Sequence, residues 1–102
     1  MTSYKQKFNK KFKQPLNESN SKAKMTRLTG IPTKVLDEIF DRGSAAFYNN
    51  PSSVRKSVKS PEQWSYGRLY AFIMKAYDAK RKGLRKINQD QDLFDKIRDK
   101  LK

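Results

Sequence analysis

A chain of 102 residues with 24 Lys/Arg against 10 Asp/Glu carries a formal net charge of +14, which favours a polyanionic partner: nucleic acid, an acidic protein surface or anionic lipid. Without cysteine or histidine it has no disulfide framework, no thiolate metal site and none of the commonest general base. The length allows one domain, and neither a bilayer-length apolar run nor a cleavable leader is read in it, so no membrane span and no secretion are expected.

The charge is uneven. Residues 1–28 hold eight cations and one anion, half of the whole excess in the first quarter of the chain. Residues 1–20 read as a basic, flexible arm carrying Lys5, Lys7, Lys10, Lys11 and Lys13. Tyr4, Phe8 and Phe12 are spaced by four, the period of a short amphipathic helix on a partner, and Pro15 would stop it. Alone in water, a piece this short and self-repelling is expected to be mostly disordered. Two readings stand: an arm that tracks phosphates with aromatics free to stack, or a solubilising tail.

Residues 21–43 divide at Gly30 into a short helix (Ser21–Thr29) and a second (Pro32–Arg42) that ends at Gly43. Ile31 before Pro32 is placed to staple onto Leu36, and Leu36, Ile39 and Phe40 form the buried stripe. The spacing of Met25, Gly30, Ile31, Leu36 and Ile39 is that of a helix-turn-helix, with Thr26 and Thr29 as departures. In a duplex reader the early exposed positions of the second helix touch base edges. Here they are Thr33, Lys34, Asp37 and Glu38, and two adjacent carboxylates suit a phosphate-lined groove badly. A helix-turn-helix shape used for packing is the preferred expectation.

Ala45, Ala46, Phe47 and Tyr48 resume the core after the expected break. Asn49-Asn50-Pro51 reads as a turn. The loop that follows is rich in serine and carries Arg55, Lys56 and Lys59, a candidate phosphate site beside a helix N-terminus and equally an ordinary linker.

The next stretch, about residues 61–82, is the element on which the fold is expected to be built. Ser60 caps it, Pro61 fits the first position, Gln63 completes a capping box and Gly83 ends it. Tyr66, Leu69, Tyr70, Ile73 and Tyr77 share one face, and Phe72, Met74 and Ala76 widen it until a narrow polar strip remains. A helix this apolar has to be covered by the rest of the chain. Trp64, Arg68, Lys75 and Lys82 lie in line along the strip. They read as a stacking and phosphate-tracking surface, or as a core tryptophan with solvated cations. Gly67, inside a helix at a cost of roughly 1 kcal/mol, suggests close approach of a neighbouring helix.

Lys80, Arg81, Lys82, Arg85 and Lys86 form a second dense basic cluster. It lacks aromatics, so any phosphate contact there is electrostatic. A last helix follows, capped by Asn88 with Gln91, striped by Leu93, Phe94, Ile97 and Leu101, and carrying an Asp92–Lys96 pair. No nucleophile–base pair, glycine-rich phosphate loop or zinc spacing is present, so catalysis, cofactor and metal are not expected.

Several pairs and singlets stand out together: Arg42-Gly43, Ala46 with Phe47, Ser53-Val54-Arg55, Gln63-Trp64, Arg68 and Phe72-Ile73, with Gly30-Ile31 and Val35-Leu36 upstream. Over about residues 25–75 this pattern resembles an uncharacterised domain family of phages, including cyanophages, and of large DNA viruses. The opening YKQKFNKKF is similar to that of the cyanophage members, and Gly67-Arg68 stands where members read alanine-arginine. The resemblance implies a viral origin, in host cytoplasm or virion, and a helical domain. It implies no activity and no ligand residues.

The expectation is an all-α bundle: a basic arm (1–20) and one helical domain (21–102) with a helix-turn-helix-like pair, the long apolar helix and a short C-terminal helix. Its expected role is a small phage or viral accessory protein, without catalysis, that binds DNA or RNA mainly through phosphates. The alternative is a virion or interaction protein docking on an acidic viral or host protein surface through Tyr4, Phe8 and Phe12. A membrane-surface role for the same arm is weaker, since one short amphipathic piece anchors marginally.

Overall fold

The computed structural model describes residues 3–49, 60–87 and 89–102. Its helices are α1 (Tyr4–Lys11), α2 (Lys22–Thr29), α3 (Thr33–Asn49), α4 (Pro61–Arg81) and α5 (Gln91–Ile97), followed by a 3-10 turn at Arg98–Lys100. No strand occurs among the described residues, and the all-helical class read from the sequence is the class observed.

The start of α4 is set by its cap. The Ser60 hydroxyl accepts the Gln63 N–H at 3.1 Å, and Pro61 occupies the first helical position. Gly83, at φ +73°, closes the far end in the left-handed conformation. Leu69, Tyr70, Phe72, Ile73 and Ala76 are buried, with Tyr66 and Tyr77 half-buried at the margins. α3 packs along one side of α4 and α1 along another. Met25, Ile31, Leu36, Ile39, Phe94 and Ile97 complete the same core, each fully buried. At about 1.5–3 kcal/mol for each large apolar side chain, this common core is the main stabilising term.

Residues 3–20 depart from the expected flexible arm. Ser3 and Gln6 form a reciprocal capping box with both bonds at 3.2 Å, which starts α1. Phe8 is fully buried, its ring 5.3 Å from that of Tyr70, and Phe12 lies 6.0 Å from Tyr77. Buried amides hold the return of the chain. Asn20 Nδ2 donates to Asn9 Oδ1 at 2.8 Å and to the Tyr70 hydroxyl at 3.1 Å, while Gln14 Nε2 donates to both asparagine carbonyls. Asn9 Nδ2 donates to the carbonyls of Leu16 and Glu18. A helix this short is unstable alone; packing on α4 supplies what its own hydrogen bonds lack.

Two glycines exchange the roles expected of them. Gly43 does not break a helix: α3 runs through it to Asn49. It is buried because α4 passes close, and a Cβ there would stand 3.0 Å from both Cα and Oγ of Ser65. Gly67, expected to admit a neighbouring helix, has nothing among the described residues within 4 Å of where its Cβ would be. The Asn49–Pro51 turn and the serine-rich loop fall largely on residues 50–59, outside the described residues.

The α2–α3 junction turns at Gly30, φ +83°. Thr29, placed where a helix-turn-helix usually has a hydrophobe, is fully buried with its hydroxyl satisfied. It donates to Met25 O at 2.7 Å and accepts the Ile31 N–H at 3.1 Å. The chain's last described amide, of Lys102, donates to Thr29 O at 2.9 Å and brings the C-terminal end onto this turn.

Three stability measurements check this packing. Gly67→Ala should raise the stability by about 1 kcal/mol through helix propensity alone. Gly43→Ala should lower it, because overpacking at about 1–3 kcal/mol outweighs the same gain. Asn20→Ala should cost about 1–3 kcal/mol by orphaning buried amide and hydroxyl groups. Urea midpoints of the three variants decide each sign.

Candidate functional site

Asp90 stands just before α5 in the left-handed region, φ 53°, and its side chain makes no capping bond to its own helix. The expected cap, Asn88, lies outside the described residues. The Asp90 carboxylate instead turns inward, its side chain 2 % exposed, between two arginines. Arg68 Nη2 of α4 reaches it at 2.8 Å and Arg42 Nη1 of α3 at 3.0 Å. Arg42 also holds Asp92 through two nitrogens at 2.9 and 2.7 Å, so Asp92 pairs there and not with Lys96 as expected. Burial alone would raise the Asp90 pKa, but the bonds from Arg68 and Arg42 outweigh it and hold the carboxyl below its ordinary range. The Arg42 hydrogen bond brings Asp92 down to about 2.

This junction ties α3, α4 and the approach to α5 together, and it takes Arg68 out of the predicted phosphate-tracking strip. Arg42 and Asp90 are 48 residues apart, so no local spacing announces the pair. The rest of the strip also separates. Lys82 pairs with Asp78 at 3.1 Å and Arg81 pairs with it at 2.5 Å, and together they hold Asp78 below the usual carboxylate range. Lys80 donates to Leu101 O at 3.2 Å. Arg85 and Lys86 are exposed, and Arg55 and Lys56 lie outside the described residues.

A different set of predicted residues is brought together. α1 and the first half of α4 border a groove of about 1420 Å³, whose lining includes Tyr4, Lys5, Lys7, Trp64, Gly67 and Lys75. Arg68 and Glu62 also line it, Glu62 being the only carboxylate among the described lining residues. Lys5 and Lys7 have no carboxylate partner among the described residues, and Lys75 bonds only the neutral Gln89 Oε1, at 3.3 Å. The ammonium groups of Lys7 and Lys75 lie 5.1 and 5.7 Å from the centroid of the Tyr4 ring, so cations from both helices converge on one exposed aromatic. Trp64 Nε1 is buried with no hydrogen-bond partner among the described residues. Lys10, Lys11 and Lys13 continue the exposed lysine row past the end of α1, with Lys11 4.3 Å from the Tyr77 ring centroid.

The would-be reading face of α3 is closed by its own ion pairs. Asp37 binds Lys22 at 2.9 Å and Glu38 binds Arg42 at 3.4 Å. Among the described residues no group of acidic side chains could hold a metal ion, and no helix is long and apolar enough to cross a membrane.

The arginine–aspartate junction makes a pH prediction. Both aspartates are depressed in the folded chain, so their stabilisation is complete above the unfolded value of about 3.9 and is lost as pH falls through the folded values, for Asp92 at about 2. Urea midpoints should therefore drop across this interval. Asp90→Asn should flatten the acid limb and cost about 2 kcal/mol at neutral pH, since it leaves two arginines short of a charge.

Compared with known proteins, the chain matches the model of the family of unknown function DUF5824 over residues 1–94, from α1 into α5. No curated protein and no solved structure matches it significantly. A match over so much of the chain, in keeping with the resemblance to an uncharacterised domain family, places the protein in a family: it belongs to DUF5824.

Proposed function

We propose that this protein is a small accessory protein that binds nucleic acid mainly through phosphate contacts and has no catalytic activity of its own. The observation that carries the reading is the division of the basic residues. Arg42, Arg68, Arg81 and Lys82 are spent on carboxylates within the fold. Lys5, Lys7, Lys10, Lys11, Lys13 and Lys75 have no carboxylate partner among the described residues, and five of them are held on one docked helix and the turn that ends it. A lysine row with no internal counter-charge suits a phosphate backbone, where release of counterions drives association. The sequence resemblance supports a phage or large-DNA-virus origin and, with it, a place in host cytoplasm or virion.

The competing reading has the N-terminal segment dock on an acidic protein surface through Tyr4, Phe8 and Phe12. The burial of Phe8 and the edge-on packing of Phe12 against Tyr77 count against these two rings as the anchor, and leave the exposed Tyr4 ring and the lysines for such a partner.

Filter binding to single-stranded DNA, duplex DNA and RNA across a salt series tests the proposal. With six or more phosphate contacts, affinity should fall by about 10³ or more between 50 and 200 mM salt. Replacing Lys5, Lys7 and Lys75 together by Gln should weaken binding and reduce the salt slope by about three contacts' worth. Absence of binding at low salt, or affinity indifferent to salt, overturns it.

A further inference from the structure

Resting on that reading, we infer that the groove between α1 and α4 is where the nucleic acid lies, and that it takes a single strand in preference to a duplex. The inference starts from Gly67. A glycine inside a helix is explained when a neighbouring element passes too close for a Cβ or when φ is positive. Gly43 illustrates the first inside α3, and Gly30, at the end of α2, illustrates the second. Gly67 meets neither condition: it is helical, exposed, and has nothing among the described residues within 4 Å of its Cβ position. The remaining use of a bare position is to let a ligand approach the backbone.

The neighbours of Gly67 state what ligand that is. Trp64, Gly67, Ala71 and Lys75 follow one another at spacings of three, four and four along α4, and all line the groove. The stripe therefore has an aromatic at one end, two positions with little or no side chain in the middle, and a cation at the other end. It extends roughly 16 Å at the helical rise. Across from it, Lys5 and Lys7 of α1 and the exposed ring of Tyr4 form the facing wall. Rings and cations alternating around a bare floor suit unpaired bases on a phosphate backbone, because every base offers a stacking face.

A duplex keeps its bases paired and away from Tyr4 and Trp64. Mononucleotides share the chemistry but span too little of the stripe to use both ends. Trp64 lines the groove, so this ring is a group whose surroundings change when the groove fills.

Trp64 is the chain's one tryptophan, which makes its emission a direct readout. The full chain would be titrated at low salt with short oligothymidylate, oligouridylate and a duplex of equal length. Wild-type protein should bind the single strands at least about tenfold more tightly than the duplex, with a change in Trp64 emission. Gly67→Leu fills the floor without meeting protein atoms at Cβ. It should melt no lower than wild type yet bind single strands at least about tenfold more weakly. Lys75→Gln should weaken binding in the same direction, while Lys96→Gln, on another face, should leave it within about twofold.

If single strands bind but Gly67→Leu and Lys75→Gln bind like wild type, the groove assignment fails while the proposed function survives. If the duplex binds as well as the single strands, the strand preference fails. If wild type binds no oligonucleotide at low salt, the proposed function fails and takes the groove with it.

Discussion

A helix that is apolar around most of its circumference has to be covered from more than one side, and α4 imposes that requirement on the whole chain. α3 covers one side through Leu36 and Ile39, and α1 covers another through Phe8. With so much of the surface of α4 spoken for, what borders the groove is one open stripe, running from Trp64 past Gly67 to Lys75. The geometry of the candidate site is thus a remainder, what is left of one helix after its burial has been satisfied.

Charge follows the same division. Arg42 and Arg68 carry rigid, forked guanidinium groups that can hold a carboxylate from two sides, and they are used at the junction around Asp90. Lysines, with a compact and strongly hydrated charge, are placed outward on α1. A net charge of +14 gives no hint of this partition by itself, because it counts internal and external cations alike.

What could be read from the sequence was what is local. The ends of α4, the left-handed glycines after α2 and α4, and the buried stripes of α3 and α5 each rest on signals within a few residues, and they appear where expected. The long-range pairs were hidden. Arg68 stood in line with Lys75 and Lys82 by helical angle, yet an aspartate 22 residues later claims it. Asp92 has Lys96 one turn away, but Arg42 from another helix pairs with it. The N-terminal segment differs from its sequence reading for a related reason. The partner for Phe8, the Tyr70 ring, lies more than sixty positions along the chain. Gly43 and Gly67 look alike in sequence, and only the path of the neighbouring helix tells them apart.

The amides of Asn9, Gln14 and Asn20 have a consequence beyond holding the chain down. Oily surfaces are forgiving: two helices joined by them alone can slip by a turn and lose little. Amides that demand one another and the Tyr70 hydroxyl accept a single seating, as a key's teeth do in one lock. The distance between lysines on α1 and the lysine on α4 is thereby set like the gap of a caliper, ready before any guest arrives.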